Sequence, residues 1–316
     1  MPIIARPAVS IVVPTCDRAA LLAETLASAR RQTFADFELL VVDDESTDGT
    51  REAVLSIADP RIVYLPTRRC GNLSILRNAG IAASRGRLIA FLDSDDLWRE
   101  DKLAAQVALL DARADAGFAF SGYDVFSAAG VERTKLYGDG GAATSVRSVF
   151  DEMIRGKLVI FSSCALVRRE LLDRTGLLNE SLRTGDYELF TRLAWSSPAA
   201  IVHAPLVKVR RHEGNTSQRL SAEGLQEAIF SIRRFYSLGA IGRDVRDERL
   251  LKYQEDLANV RFRRGDRAGA RRAILACIRL RPAALVYWRS LGVVSTRPVP
   301  APAKAPRRQP AERAER

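Results

Sequence analysis

LIAFLDSDD, residues 88–96, sets five consecutive apolar residues directly ahead of three aspartates and a serine. The apolar run Leu88–Leu92 reads as a strand buried on both faces, and the chain turns polar where that strand must end. Three earlier runs have the same form: Val9–Val13, halted at Pro14; Glu38–Val42; and Arg61–Leu65. A helical stretch follows each. The first carries Leu22, Leu26 and Ala29 on one side and is expected to be capped by Asp17; the others span Asp48–Ala58 and Leu76–Ser84. Continuous apolar strands alternating with helices predict an α/β fold on a mainly parallel sheet flanked by helices. Ligands gather at the carboxyl ends of such strands. Here those ends read Thr15-Cys16-Asp17, Asp43-Asp44-Glu45-Ser46 and Asp93-Ser94-Asp95-Asp96.

Asp93 and Asp95 are two apart at a strand end, which predicts that they point the same way, with Asp96 adding a third carboxylate. Three like charges this close repel unless a positive charge sits among them. Mg²⁺ or Mn²⁺, hard cations that prefer oxygen, suit that role and leave positions open for a diphosphate. A cap for the following Leu103–Leu110 helix is the other reading of Asp96. Asp44 is placed to accept from the N–H of a base such as uracil, and Asp48 to cap the next helix. Trp98 reads as either pocket wall or core.

Past Ala112, Phe118–Phe126 and Leu158–Val167 supply further apolar runs, and Gly185-Asp186 opens a helix. Residues 221–296 read as helical, with a tetratricopeptide-like pair, and 297–316, rich in Pro, Ala and Arg, as a disordered basic tail. The expected domains are thus 1–220, 221–296 and 297–316. The net charge of +11 is lopsided: residues 1–200 hold 24 Lys and Arg against 27 Asp and Glu, and residues 201–316 hold 25 against 11. The excess therefore says nothing about chemistry in the first two-thirds. No apolar stretch reaches the ~18 residues of a membrane span, and the first residues lack a signal-peptide pattern, so a cytoplasmic protein is expected. Four scattered cysteines agree with a reducing compartment.

Taken together, SIVVPTCDR, LLVVDDESTDGT and RNAGIAASRGRLIAFLDSDDLW, over about residues 8–215, resemble the nucleotide-binding half of family-2 glycosyltransferases of the GT-A fold. The resemblance implies an inverting, metal-dependent transfer of a sugar from a nucleotide-diphosphate donor, a UDP-sugar above all, to a hydroxyl of a glycan or lipid-linked acceptor in polysaccharide assembly. It places Pro14, Thr15 and Asp44 on the nucleobase, Asp17 and Arg77 near the donor, and Asp93 with Ser94 by the ribose. Asp95 is placed on the metal with Asp96 adjacent, and Asp186 as catalytic base, with Gly185 standing where an acidic residue is frequent. Arg211–Ser217 resembles a segment that folds over the diphosphate, giving His212 as a further metal or phosphate contact. By its residues alone, Asp186 has a helix cap as its lesser reading, and His212, beside Arg210 and Arg211, reads also as part of a solvated basic turn.

Two rivals remain. A sugar-phosphate nucleotidyltransferase shares the architecture but would carry a glycine- and arginine-rich loop after the first strand, where Cys16–Ala20 offers none. A catalytically silent nucleotide-sugar-binding scaffold is the other. The basic end is open to three readings: solvated helix faces, peripheral docking on an anionic inner membrane face, and nucleic-acid binding. No recognisable motif accompanies the last, and no nucleic-acid partner is expected.

Overall fold

In the computed structural model, residues 6–138, 142–211 and 221–296 are described. The chain divides into two units, Met1–Thr216 with Ser237–Ala240, and Ser217–Tyr236 with Ile241–Arg316. The first unit runs β1 (Val9–Thr15), α1 (Ala19–Arg30), β2 (Phe37–Asp44), α2 (Thr50–Leu55), β3 (Ile62–Thr67), α3 (Leu73–Ala83), β4 (Leu88–Phe91), β5 (Leu97–Trp98) and α4 (Lys102–Ala112). It continues with β6 (Phe118–Ser127), β7 (Gly130–Lys135), β8 (Thr144–Arg147), α5 (Phe150–Ile154), β9 (Ala165–Arg168), α6 (Arg169–Thr175), α7 (Asp186–Ser196) and β10 (Ala199–Arg210).

One sheet joins these strands in the order β3-β2-β1-β4-β9-β6-β10-β5, with β7 on β6 and β8 on β10. The first four strands are parallel, as their βαβ spacing requires. Beyond β4 the sheet is mixed: β9 runs antiparallel to both β4 and β6, while β10 is parallel to β6. Alternate residues of β1 serve two cores. Val9, Ile11 and Val13 pack with Leu22 and Leu26 of α1 and Leu103 of α4, while Val12 packs with Leu76 of α3 and with Leu189 and Phe190 of α7.

Two local expectations are corrected. β1 does not halt at Pro14 but runs to Thr15, because β4 pairs only as far as Val12 and no neighbour there needs the missing N–H. Asp96 does not cap a helix: β5 intervenes, and α4 begins only at Lys102 after Asp101.

Gly80 lets α3 lie close on β1. A Cβ there would collide with the Val12 side chain, so a glycine one turn past Arg77 sets how closely that arginine approaches the strand ends.

In the second unit, α8 (Ala222–Ser237) precedes α9 (Arg243–Arg263), α10 (Arg267–Leu280) and α11 (Leu285–Thr296). α10 buries Ala270, Ala273, Ile274, Cys277 and Ile278 along one face, and α9 buries Leu250, Leu251, Leu257 and Ala258. The expected tail, 297–316, lies outside the described residues. Among the described residues, no helix is long and apolar enough to cross a membrane. All four cysteines are free thiols.

Trp98 belongs to the core. Its Nε1 donates to the Ser163 carbonyl at 2.9 Å, and the Lys102 ammonium sits 3.9 Å from its ring centroid. Lys102 is fully buried, and burial pushes it down from 10.5 to about 7. The folded chain therefore gives up this proton at lower pH than the unfolded chain does. Between about 7 and 10.5 the unfolded state binds more protons, so stability rises with pH; below about 7 the whole cost of burying the ammonium remains. Lys102→Met is predicted to flatten that rise and to stabilise the protein near neutral pH by on the order of 2 kcal/mol. Denaturant midpoints across this range check it, and parallel curves for the two proteins would contradict it.

Candidate active site

The carboxyl ends of β1, β2 and β4 bring the three polar segments to one edge. Leu92 N donates to the Val12 carbonyl, after which Asp93–Asp96 closes as a tight turn, Asp96 N donating to Asp93 O at 3.0 Å. The aspartates thus leave strand geometry, and the expected shared direction of Asp93 and Asp95 is replaced by three separate ones. Asp93 Oδ1 accepts from Arg77 Nη2 at 2.7 Å, and Asp95 Oδ2 from Arg18 Nη1 at 2.8 Å. Asp96 turns inward: Oδ2 accepts from the Ser163 hydroxyl at 2.6 Å and Oδ1 from the Arg210 amide at 3.0 Å. Burial first, then the charges of Asp93 and Asp95, push the Asp96 carboxyl well above the usual range, against the two hydrogen bonds. Ser94 is buried in the same turn.

Arg77 is the centre of the arrangement. Its side chain is 1% exposed, and while Nη2 reaches Asp93, Nη1 reaches Asp186 Oδ1 at 2.5 Å and the Thr184 carbonyl at 3.1 Å. The resemblance placed Arg77 near the donor; the structure makes it a buried clamp between two carboxylates that are each about one-third exposed. Asp186 is the first residue of α7, and the cap position belongs to Gly185. Gly185 has φ +66°, and a Cβ there would lie 2.5 Å from Ser74 Oγ. The departure from an acidic residue therefore has a local cause: this backbone suits glycine, and α3 leaves no room for a side chain.

The corner expected to hold the nucleotide is a lattice of loop contacts. Asp44, 1% exposed, accepts from the amides of Cys70 at 2.7 Å and Gly71 at 2.8 Å. It is thus first a clamp on the loop after β3, and a base has only its remaining lone pairs to use. Asp17, at φ 49°, accepts from Thr47 N at 2.7 Å and from Arg69 Nη2 at 2.6 Å. The Thr47 amide and then Arg69 hold its carboxyl below the usual range. It does not cap α1. Asp48 does so, accepting from Ala19 N at 2.9 Å while also holding Thr50 at the start of α2. Pro14 lies in β1 and Thr15 at its end; the buried Thr15 hydroxyl has no hydrogen-bond partner among the described residues.

Sequence reasoning missed Arg18, Ser163 and the role of Arg210. Arg210 is not part of a solvated turn. Its Nε donates to the Asp95 carbonyl at 2.9 Å and Nη2 to Glu24 at 2.6 Å, tying the end of β10 to the acidic turn. His212 lies outside the described residues. Among those described, no group of three or more His, Cys, Asp or Glu is arranged to hold a metal ion. A cleft of about 820 Å³ lies at the opposite end of the sheet, lined by Arg85, Arg168 and Arg169. There Arg85 pairs with Glu38, while Arg168 and Arg169 donate to backbone carbonyls.

The family model for glycosyl transferase family 2 matches residues 10–176. The chain is 35% identical over 119 residues to the UDP-Glc:alpha-D-GlcNAc-diphosphoundecaprenol beta-1,3-glucosyltransferase WfgD of Escherichia coli, a match covering 38% of this chain and 47% of that protein. The chain spans about half the length of the first curated relatives it matches. In structure it resembles S. aureus TarS in complex with UDP-GlcNAc (TM-score 0.62, 17% identity, 89% of this chain and 91% of that one). It also resembles the mannosyltransferase PcManGT of Pyrobaculum calidifontis with GDP-Man and Mn²⁺ (TM-score 0.57, 19% identity, 92% and 85%). The two structures share the fold with this chain; the family match, which takes in β1 through α6 and every aspartate of the acidic turn, places the protein in glycosyl transferase family 2.

Proposed function

We propose that this protein transfers a sugar from a nucleoside-diphosphate donor to an acceptor hydroxyl with inversion, using Asp186 as general base. The observation that carries the reading is the single buried guanidinium of Arg77, shared between Asp93 at the donor-side turn and Asp186 at the start of α7. An arginine partner favours the ionised form of Asp186, and so does the helix N-terminus on which it sits. A carboxylate so held takes the acceptor proton as the hydroxyl oxygen attacks the anomeric carbon. The new C–O bond forms on the face opposite the diphosphate as the old one breaks, so the configuration inverts without a covalent intermediate. UDP-sugars are the donor class supported by the name of WfgD and by the ligand in the TarS complex, and the name of WfgD supports a lipid-linked glycan as acceptor. The hydroxyl of Thr15, opposite Asp43 at the end of β1 and without a hydrogen-bond partner among the described residues, suits a ligand that supplies the missing bond.

The donor set suits a divalent ion at Asp95, with Asp93 beside it. Both offer hard oxygens; Arg77 and Arg18 each occupy one of them, so a divalent ion at Asp95 would displace the Arg18 guanidinium from Oδ2. Asp96 is spent on Ser163 and Arg210, so diphosphate oxygens would complete the set. When bound, Mg²⁺ or Mn²⁺ supplies charge neutralisation to the leaving diphosphate; the Mn²⁺ of the PcManGT complex supports this choice. A nucleotidyltransferase is disfavoured because only three residues, Cys16 to Arg18, separate β1 from α1, too few for its phosphate-binding loop.

Asp186→Asn is predicted to lower transfer by about 10²–10⁴-fold while donor affinity is kept. Rates and donor titrations with UDP-sugars and Mn²⁺ measure both; unchanged transfer would remove Asp186 from the chemistry, and binding without turnover by the unaltered protein would favour a scaffold. Arg77→Gln should cost about 2–3 kcal/mol of stability, the low side for breaking a buried pair because both carboxylates keep some water contact, and should lower transfer as well. Gly185→Glu, which restores the frequent acidic residue, should cost about 1–3 kcal/mol through its positive φ and bring no gain in rate.

A further inference from the structure

The apolar outer turn of α11 has no place in the chemistry above. α11 is fastened to its own unit through Tyr287, which is buried and donates its hydroxyl to Glu255 of α9 at 2.5 Å, and through buried Val294. On the outside it presents Leu285, Val286 and Trp288, exposed by 68%, 59% and 50%. The Trp288 ring is held there, its Nε1 donating to the Pro282 carbonyl at 2.9 Å. Free-standing apolar side chains of this size, with a fixed indole among them, are what a lipid interface takes up.

The surroundings are cationic. Residues 261–296 carry nine arginines and a single acidic residue, Asp266. The exposed stripe of α10 reads Arg271, Arg272, Leu275 and Arg279. Arg281 and Arg289 flank the exposed turn of α11, and no acid lies between 281 and 296. We infer that the α10–α11 face docks on an anionic lipid bilayer, with Leu285, Val286 and Trp288 entering the headgroup boundary and the arginines meeting lipid phosphates. A second copy of the chain is the poorer occupant, because pairing this face with itself sets Arg271, Arg272, Arg279, Arg281 and Arg289 against their own copies. The inference rests on the helical unit alone and stands whatever the first unit transfers.

The test uses the full chain and lipid vesicles, with no enzymatic readout. The chain should co-sediment with phosphatidylcholine vesicles containing phosphatidylglycerol and not with phosphatidylcholine alone. In a Trp195→Phe background, emission from Trp288 should shift to the blue on adding the anionic vesicles, since Trp98 is already buried. Leu285→Glu with Trp288→Glu should weaken vesicle binding by at least about tenfold with unchanged thermal unfolding. Arg271→Gln with Arg279→Gln should weaken it too and lessen its salt dependence. Full binding by the Leu285/Trp288 variant, absence of the blue shift, or a stable dimer that shields Trp288 without lipid would each overturn the proposal.

Discussion

A guanidinium with 1% of its side chain exposed needs anionic partners, because an uncompensated charge at that depth is strongly unfavourable. Arg77 has two, and they come from segments 93 residues apart, Asp93 after β4 and Asp186 at α7. One side chain thereby fixes the distance between the edge where a donor would lie and the carboxylate that would face an acceptor. The surrounding fold serves the same end. Gly80 allows α3 to settle on β1, and Gly185 gives α7 a start in which Asp186 faces inward toward α3.

The acidic turn follows similar logic. Three carboxylates within four residues are tolerated because each leaves in its own direction: Asp93 to Arg77, Asp95 to Arg18, and Asp96 into the interior. Asp96 then acts on architecture, joining Ser163 to the end of β10. The Arg210 side chain repeats the join through the Asp95 carbonyl. Strand ends that are distant in sequence are thus sewn to one turn, leaving Asp93, about one-third exposed, as the carboxylate of the three with the most access to solvent.

What was legible from residues alone divides along physical lines. Continuous apolar runs such as Val9–Val13 and Leu88–Leu92 announce buried parallel strands, because burial on both faces leaves no alternation. The density of aspartates beyond them marks the edge at which the polar segments after β1, β2 and β4 meet. Partners at long range are another matter. Nothing local in RNAGIAASRG says that Arg77 will span to residue 186, and Ser163 sits in an apolar run with no polar pattern around it. Local rules also failed where a neighbour competed for a side chain. Asp17 looks like a cap for α1, yet Arg69 and the Thr47 amide claim its carboxylate and Asp48 does the capping. Asp44, expected to meet a base, has a second duty that no local pattern announces, as a clamp on the Cys70–Gly71 amides. The mixed half of the sheet was hidden for the same reason: β9 and β10 pair across separations that periodicity does not report.

The shared arginine is tested most directly by a mutant cycle on unfolding free energy, taking Asp93→Asn and Asp186→Asn singly and together, with Arg77 intact and again with Arg77→Gln. If both carboxylates act through Arg77, their effects should be non-additive by about 0.5–3 kcal/mol while the arginine is present and additive once it is gone. Simple additivity with Arg77 in place would contradict the account.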